Sequence, residues 1–221
     1  MQLSGELFGA DFLMACGICC GALMLAAARH APWRKLADSS NVSVLLGALT
    51  AMLLLWSMRA EMIDGVAFHL SAMTVLTLMV GWCFAVLGGG LVLAGVIAAG
   101  FGSWSGYFPT ALVAVLLPAS LTWMILLLAR AWLPRNFFIY VLLNGFLAAG
   151  LIAMISAYVV ALLLLFAAQI PPETLAYSYY PWIPLMFFPE AMLNGWAITI
   201  LVIFKPEWVF SFSDEDYLHG K

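Results

Sequence analysis

Six apolar stretches separated by short charged clusters set the terms on which this chain can fold. They run over about 12–28, 42–58, 66–100, 109–129, 137–168 and 182–204. A helix needs about 20 mostly apolar residues to cross roughly 30 Å of hydrocarbon, and most of these runs reach that length. With 66% hydrophobic and 9% charged residues over 221 positions, the chain carries more apolar surface than a soluble core of this size hides. Lipid is therefore the solvent for most of it.

Charge placement then orders the crossings. The stretch 66–100 contains no Asp, Glu, Lys or Arg and is too long for one span. A single crossing there would place Arg130 and Arg135 opposite Arg29, Arg34 and Lys35, against the positive-inside rule. Two short crossings turning near Gly81-Trp82 return them to one face and leave Arg59 as the only cation on the other. The expectation is an all-α, polytopic membrane helix bundle forming a single domain over 1–221. It has seven transmembrane helices, at about 12–28, 42–58, 66–80, 83–99, 109–129, 137–168 and 182–204, and a short cytoplasmic tail, 205–221. The N-terminus lies outside and the C-terminus inside. Asp38-Ser39-Ser40-Asn41 supplies N-cap residues for the second helix. Trp104, Tyr107, Tyr177, Tyr179, Tyr180 and Trp182 fall at the outer interface, where amphipathic rings prefer to sit. The N-terminus lacks a basic leader and carries Glu6 and Asp11 before the first apolar run, so Met1 is expected to be retained.

Ionisable and polar groups inside lipid are costly enough to mark candidate functional positions. Glu190 lies inside the last helix, directly after Pro189, and Asn194 follows at i+4 on the same face. Asn144-Gly145 repeats the pairing of Asn194-Gly195 in the helix before it, and a Gly beside each Asn lets a neighbouring helix approach. These groups serve either as structural glue or in a substrate path and helix coupling. His69 is the one histidine in the apolar body, expected about one turn into the third helix; His30 and His219 fall in cytosolic segments. Imidazole is a versatile ligand for first-row metals, although a lone histidine is more often simply packed. Cys16, Cys19 and Cys20 share one face of the first helix and form a weak soft-metal alternative beside their packing role. Gly17 and Gly21, and the run Gly88-Gly89-Gly90, are small-residue surfaces suited to helix packing, within the chain or against another subunit.

Enzyme signatures are absent: there is no phosphate-binding Gly-Lys-Ser/Thr loop, no Ser-His pairing and no His-Glu-x-x-His. Any ATP hydrolysis would come from a partner. A net charge of −3 gives no electrostatic footprint for nucleic acid.

Gly65-Val66-Ala67-Phe68-His69-Leu70, Phe138-Ile139-Tyr140 through Asn144-Gly145, Phe188-Pro189-Glu190-Ala191 through Asn194-Gly195, and Lys205-Pro206-Glu207-Trp208 through Asp214-Glu215 together resemble a known family. They are similar to the permeases of energy-coupling-factor ABC transporters, in particular the CbiM-like substrate-capture subunit for cobalt and nickel, in a divergent branch. The resemblance implies a seven-helix capture subunit in the bacterial cytoplasmic (inner) membrane. Its implied partners are a second transmembrane scaffold subunit, cytoplasmic ATPase subunits and membrane lipid. It implies no permanently bound cofactor, with Co2+ or Ni2+ as cargo. The family holds its metal with the N-terminal amine, a second-position histidine and a histidine at an outer helix end. The amine maps onto Met1 and the helix-end histidine onto His69, but Gln2 stands at the second position, with Glu61 and Asp64 as alternative donors. Two other readings stay open: a non-transporting structural or assembly subunit of a larger membrane complex, and a copper-selective variant using the cysteine face.

Overall fold

A computed structural model describes residues 1–217; His219 and Lys221 lie outside the described residues. Helix accounts for 77% of the chain. A two-residue strand, β1 (Gln2–Leu3), precedes α1 (Ala10–His30) and α2 (Ser39–Ser57). Asp38 caps α2 by accepting the Ser40 amide proton at 2.9 Å. A hairpin of β2 (Ala60–Ile63) and β3 (Val66–Phe68) follows, then the short α3 (Met73–Val80) and α4 (Trp82–Ala98). The bundle closes with α5 (Trp104–Trp132), α6 (Phe137–Phe166) and a final segment, Pro172–Phe204. That last segment is broken around Tyr179 and Met186, in a stretch rich in prolines that lack amide donors, and straightens into α7 (Phe187–Phe204). Five of these segments are long and apolar enough to cross a membrane: α1, α2, α5, α6 and Pro172–Phe204. A membrane helix bundle fits them.

The expected third helix over 66–80 is corrected by the structure. Residues 66–68 are strand, paired antiparallel with β2 on one side and with β1 on the other, giving the order β1-β3-β2. Asp64-Gly65 turns the hairpin, with Gly65 at φ +80, a conformation glycine adopts without penalty. His69 consequently lies before the helix, not within it, and α3 begins only after Ala72. The other half of the expected hairpin is present: α3 and α4 meet at Gly81, φ +82.

The small residues of α4 are used inside the molecule. Gly88 and Gly95 face Leu49 and Leu53 of α2, Gly89 faces Val115 and Met73, and Gly90 faces Met24 and the Tyr107 hydroxyl. One helix thus touches four others, and side chains at those glycines would push them apart. On α1, Gly17 rests on the Phe108 ring, whereas Gly21 faces open space.

The two ends of the bundle differ. Residues after α7 fold under the α3–α4 turn, where Phe210 and Ser211 donate their amides to the Met79 and Leu78 carbonyls at 2.8 and 3.1 Å. Arg130 donates to the Ser211 carbonyl at 2.5 Å, and the Lys35 ammonium sits 3.2 Å from the Phe210 ring centre. The small sheet and the N-terminus form the opposite end.

Candidate functional site

The N-terminal segment is threaded into the bundle. Besides β1 pairing with β3, Ser4 donates its amide to the Gly65 carbonyl at 2.7 Å. Thr110 of α5 takes the Leu3 amide proton on its hydroxyl oxygen at 2.9 Å and returns its own proton to the Leu3 carbonyl at 3.3 Å. One side chain thereby does for Leu3 what a neighbouring strand would do. The result buries Met1, Gln2 and Leu3.

This docking puts the Met1 amine nitrogen 2.8 Å from Nε2 of His69. Nδ1 of the same ring lies 3.2 Å from the Leu70 carbonyl. A carbonyl only accepts, so Nδ1 carries the proton and Nε2 presents its lone pair toward the amine. Trp56 fixes the ring plane: its indole lies 4.6 Å away, centre to centre, and donates to the Ser71 carbonyl at 2.9 Å. Burial strips water from the amine and pushes it down from 8.0 to about 5, against the pull of the Glu190 carboxylate. Burial, and then the neighbouring amine, hold His69 well below its ordinary value. Both nitrogens are therefore neutral donors at neutral pH. With metal–nitrogen bonds of about 2.0–2.1 Å, two donors at a right angle on one ion stand about 2.9 Å apart. The observed pair is close to that spacing.

Glu190 and Asn194 form the floor. The Ser71 amide donates to Oε1 of Glu190, the Asn194 amide group donates to Oε2 at 2.9 Å, and the Asn194 carbonyl oxygen accepts the Val75 amide at 2.9 Å. Glu190 is thus bonded to the segment just before α3, and Asn194 to the first turn of α3. A cavity of about 30 Å³ opens between these groups, lined by Met1, His69, Ser71, Ser156 and Glu190 among others. That is room for one water or one ion. The Ser156 hydroxyl is buried there without a hydrogen-bond partner among the described residues.

Other candidates fall elsewhere. Gln2 points away from the amine: its side chain donates to the Phe101 carbonyl at 2.6 Å and accepts from Arg59 at 2.7 Å. It latches the N-terminal segment to the loop after α4. Glu61 accepts the Gly65 amide at 3.0 Å and serves the hairpin turn, and Asp64 is exposed on that turn. Asn144 is buried with its Oδ1 unpartnered among the described residues, but it does not line the cavity. The Gly145–Gly195 approach is close, with a side chain on Gly145 meeting the Gly195 Cα at 3.4 Å. Cys16 and Cys20 are buried while Cys19 is exposed. Among the described residues no group of three or more His, Cys, Asp or Glu side chains gathers to hold a metal. Tyr179, expected at the membrane interface, is instead buried against Phe68, and its hydroxyl donates to the Ala157 carbonyl at 3.1 Å and lies 3.8 Å from the Met1 sulfur. Thr110 and Ser156 were not legible as site residues, because isolated Ser and Thr hydroxyls in apolar helices ordinarily back-bond to their own backbone.

Comparison with known proteins places this geometry in context. A search of curated proteins finds no match. A solved structure described as a truncated transition metal transporter superposes with a TM-score of 0.73 at 14% identity, covering 92% of this chain and 99% of that one. At that identity the likeness is one of fold. Residues 3–208 match the family CbiM, described as the cobalt uptake substrate-specific transmembrane region, and the chain belongs to that family.

Proposed function

We propose that the chain is the substrate-capture subunit of an energy-coupling-factor importer whose cargo is a divalent transition metal, cobalt or nickel. The observation that carries this reading is the buried pair of neutral nitrogen donors, the Met1 amine and His69 Nε2, 2.8 Å apart. Imidazole and amine nitrogens suit Co2+ and Ni2+. In this reading α3 and α4 complete seven crossings, with the N-terminus outside the bacterial cytoplasmic membrane and the C-terminus inside. The gathering of Lys35, Arg130 and Lys205 at the end away from the site supports that orientation. A second transmembrane scaffold and cytoplasmic ATPase subunits would supply the energy.

The test is calorimetric titration of Co2+ and Ni2+ into the detergent-solubilised chain with Met1 free, beside His69→Ala. Loss of a second-sphere group typically costs a metal site 10–100-fold, so removal of the imidazole itself is expected to weaken binding by more than about 100-fold. Equal binding by the variant would overturn the assignment.

The amine also predicts the pH profile. A group lowered from 8.0 to about 5 is neutral across that interval in the folded state and protonated in the unfolded one. Affinity for Co2+ is expected to stay level from about pH 8 to pH 6 and to fall below about pH 5, where the proton takes the lone pair. Stability without metal changes differently: it declines as pH falls from about 8 to about 5, because the unfolded chain binds the proton first. Titrations and melting curves across that range check both signs; affinity that already falls in step from pH 8 would contradict the buried neutral amine.

A second reading, a non-transporting structural or assembly subunit, draws on one observation: the side chain at position 2 is committed to Arg59 and Phe101 and offers nothing to an ion. Absence of saturable binding in a folded, free-amine preparation would favour it.

A further inference from the structure

We propose that Glu190 supplies the third donor to the captured ion, replacing from below what the side chain at position 2 does not provide. The cargo site is then a mixed nitrogen–oxygen set, Met1 amine, His69 Nε2 and Glu190 carboxylate, with the Ser156 hydroxyl beside it. This rests on the capture reading above and names its donor set and the class of ion it takes.

Four observations converge on it. Glu190 lines the same small cavity as Met1 and His69 and is the only residue with a charged side chain among those lining it. Its carboxylate accepts from the Ser71 and Ala72 amides and from the Asn194 side chain. A carboxylate offers about four lone-pair sites, so about one remains for an ion. The Ser156 hydroxyl, buried in the same wall, has no hydrogen-bond partner among the described residues. Finally, Gln2 is turned away, so no side chain at position 2 competes for the ion.

Charge gives the physical reason. A divalent ion between two neutral nitrogens in a water-excluded pocket would remain doubly charged in a medium that cannot solvate it. A carboxylate in contact halves that net charge, and its hydrogen bonds to Ser71, Ala72 and Asn194 hold it in place when the ion is absent. The donor set also bears on selectivity. Tetrahedral or loosely six-coordinate ions that accept oxygen alongside nitrogen, Co2+ and Zn2+, fit it better than an ion demanding a square plane of nitrogens.

The test uses the full chain in detergent with Met1 free. Metal-induced infrared difference spectra are recorded with Co2+, and affinities for Co2+ and Ni2+ are measured for the wild type, His69→Ala and Glu190→Gln. The expected result is a carboxylate stretching band that shifts on Co2+ addition and is absent from Glu190→Gln. Co2+ affinity in that variant should fall at least about 30-fold, with Ni2+ less affected. Tight Co2+ binding that His69→Ala abolishes, with no carboxylate shift in the wild type, would overturn Glu190 as a donor and leave the capture reading intact. No saturable binding of either ion by the folded wild type would overturn both. Should Glu190→Gln fail to fold, the wild-type spectrum still decides, since the band either shifts or does not.

Discussion

Extending the chain by two residues, Gly-Ser, ahead of Met1 is expected to abolish metal capture, with Co2+ affinity falling more than about 100-fold, or roughly 2.8 kcal/mol. Two effects act together. The amine becomes an amide, whose nitrogen lone pair is delocalised into the carbonyl and is not free for a metal while the N–H proton is in place. The extension also has nowhere to go, because Met1 is 8% exposed and its nitrogen lies 2.8 Å from His69 Nε2 beside a cavity of only about 30 Å³. To accommodate two further residues, the first strand must leave its place between β3 and Thr110. The helices themselves do not depend on that strand, so the extended protein should remain folded and monodisperse. Titration of the extended and native chains, with thermal unfolding as the control, reads the two effects apart. Undiminished binding by the extended chain would remove the amine from the site and take the capture reading with it.

The long apolar helices were legible because hydrophobic length is a one-dimensional property: α1, α2 and the turn at Gly81 can be drawn from runs and charges alone. The hairpin was not. Residues 66–68 belong to an uninterrupted apolar run, and nothing in its periodicity separates three strand residues from the helix that follows. The signal that was available is Asp64-Gly65, a hairpin turn pair. His69 and Glu190 stood out because ionisable groups are rare in lipid, yet their relation did not, since 121 positions separate them. Gln2 was legible as a missing ligand, but its partnership with Arg59 depends on a loop that closes only in three dimensions. Tyr179 illustrates the opposite failure. Neighbouring aromatics suggested an interface belt, whereas a buried hydroxyl pairing with Ala157 turned this one inward.

Gly106 carries the other large expected effect, through docking and not through chemistry. It lies in the first turn of α5, and Thr110, which holds both polar backbone groups of Leu3, stands one turn further along. A side chain on Gly106 would overlap the Leu3 carbonyl oxygen and press on the Gly5 nitrogen. Gly5 answers it: a side chain there would overlap the Ser105 backbone. The pair lets the N-terminal segment lie directly on the start of α5, and that contact sets how far Met1 reaches. Overpacking a fitted contact costs about 1–3 kcal/mol, and the clash here is with backbone, which cannot rotate away. The strain is relieved most cheaply by lifting a three-residue segment held by a few hydrogen bonds, not by parting packed helices. Gly106→Val is therefore expected to weaken Co2+ binding roughly 10- to 100-fold, at 1.4 kcal/mol per tenfold, while the melting temperature barely moves. Gly21→Ala, at a position with open space around it, is the control and should leave affinity unchanged. A Gly106→Val protein that binds as tightly as the wild type would show that the amine finds His69 without this docking surface. The threading of the N-terminus would then be a consequence of the site and not its cause.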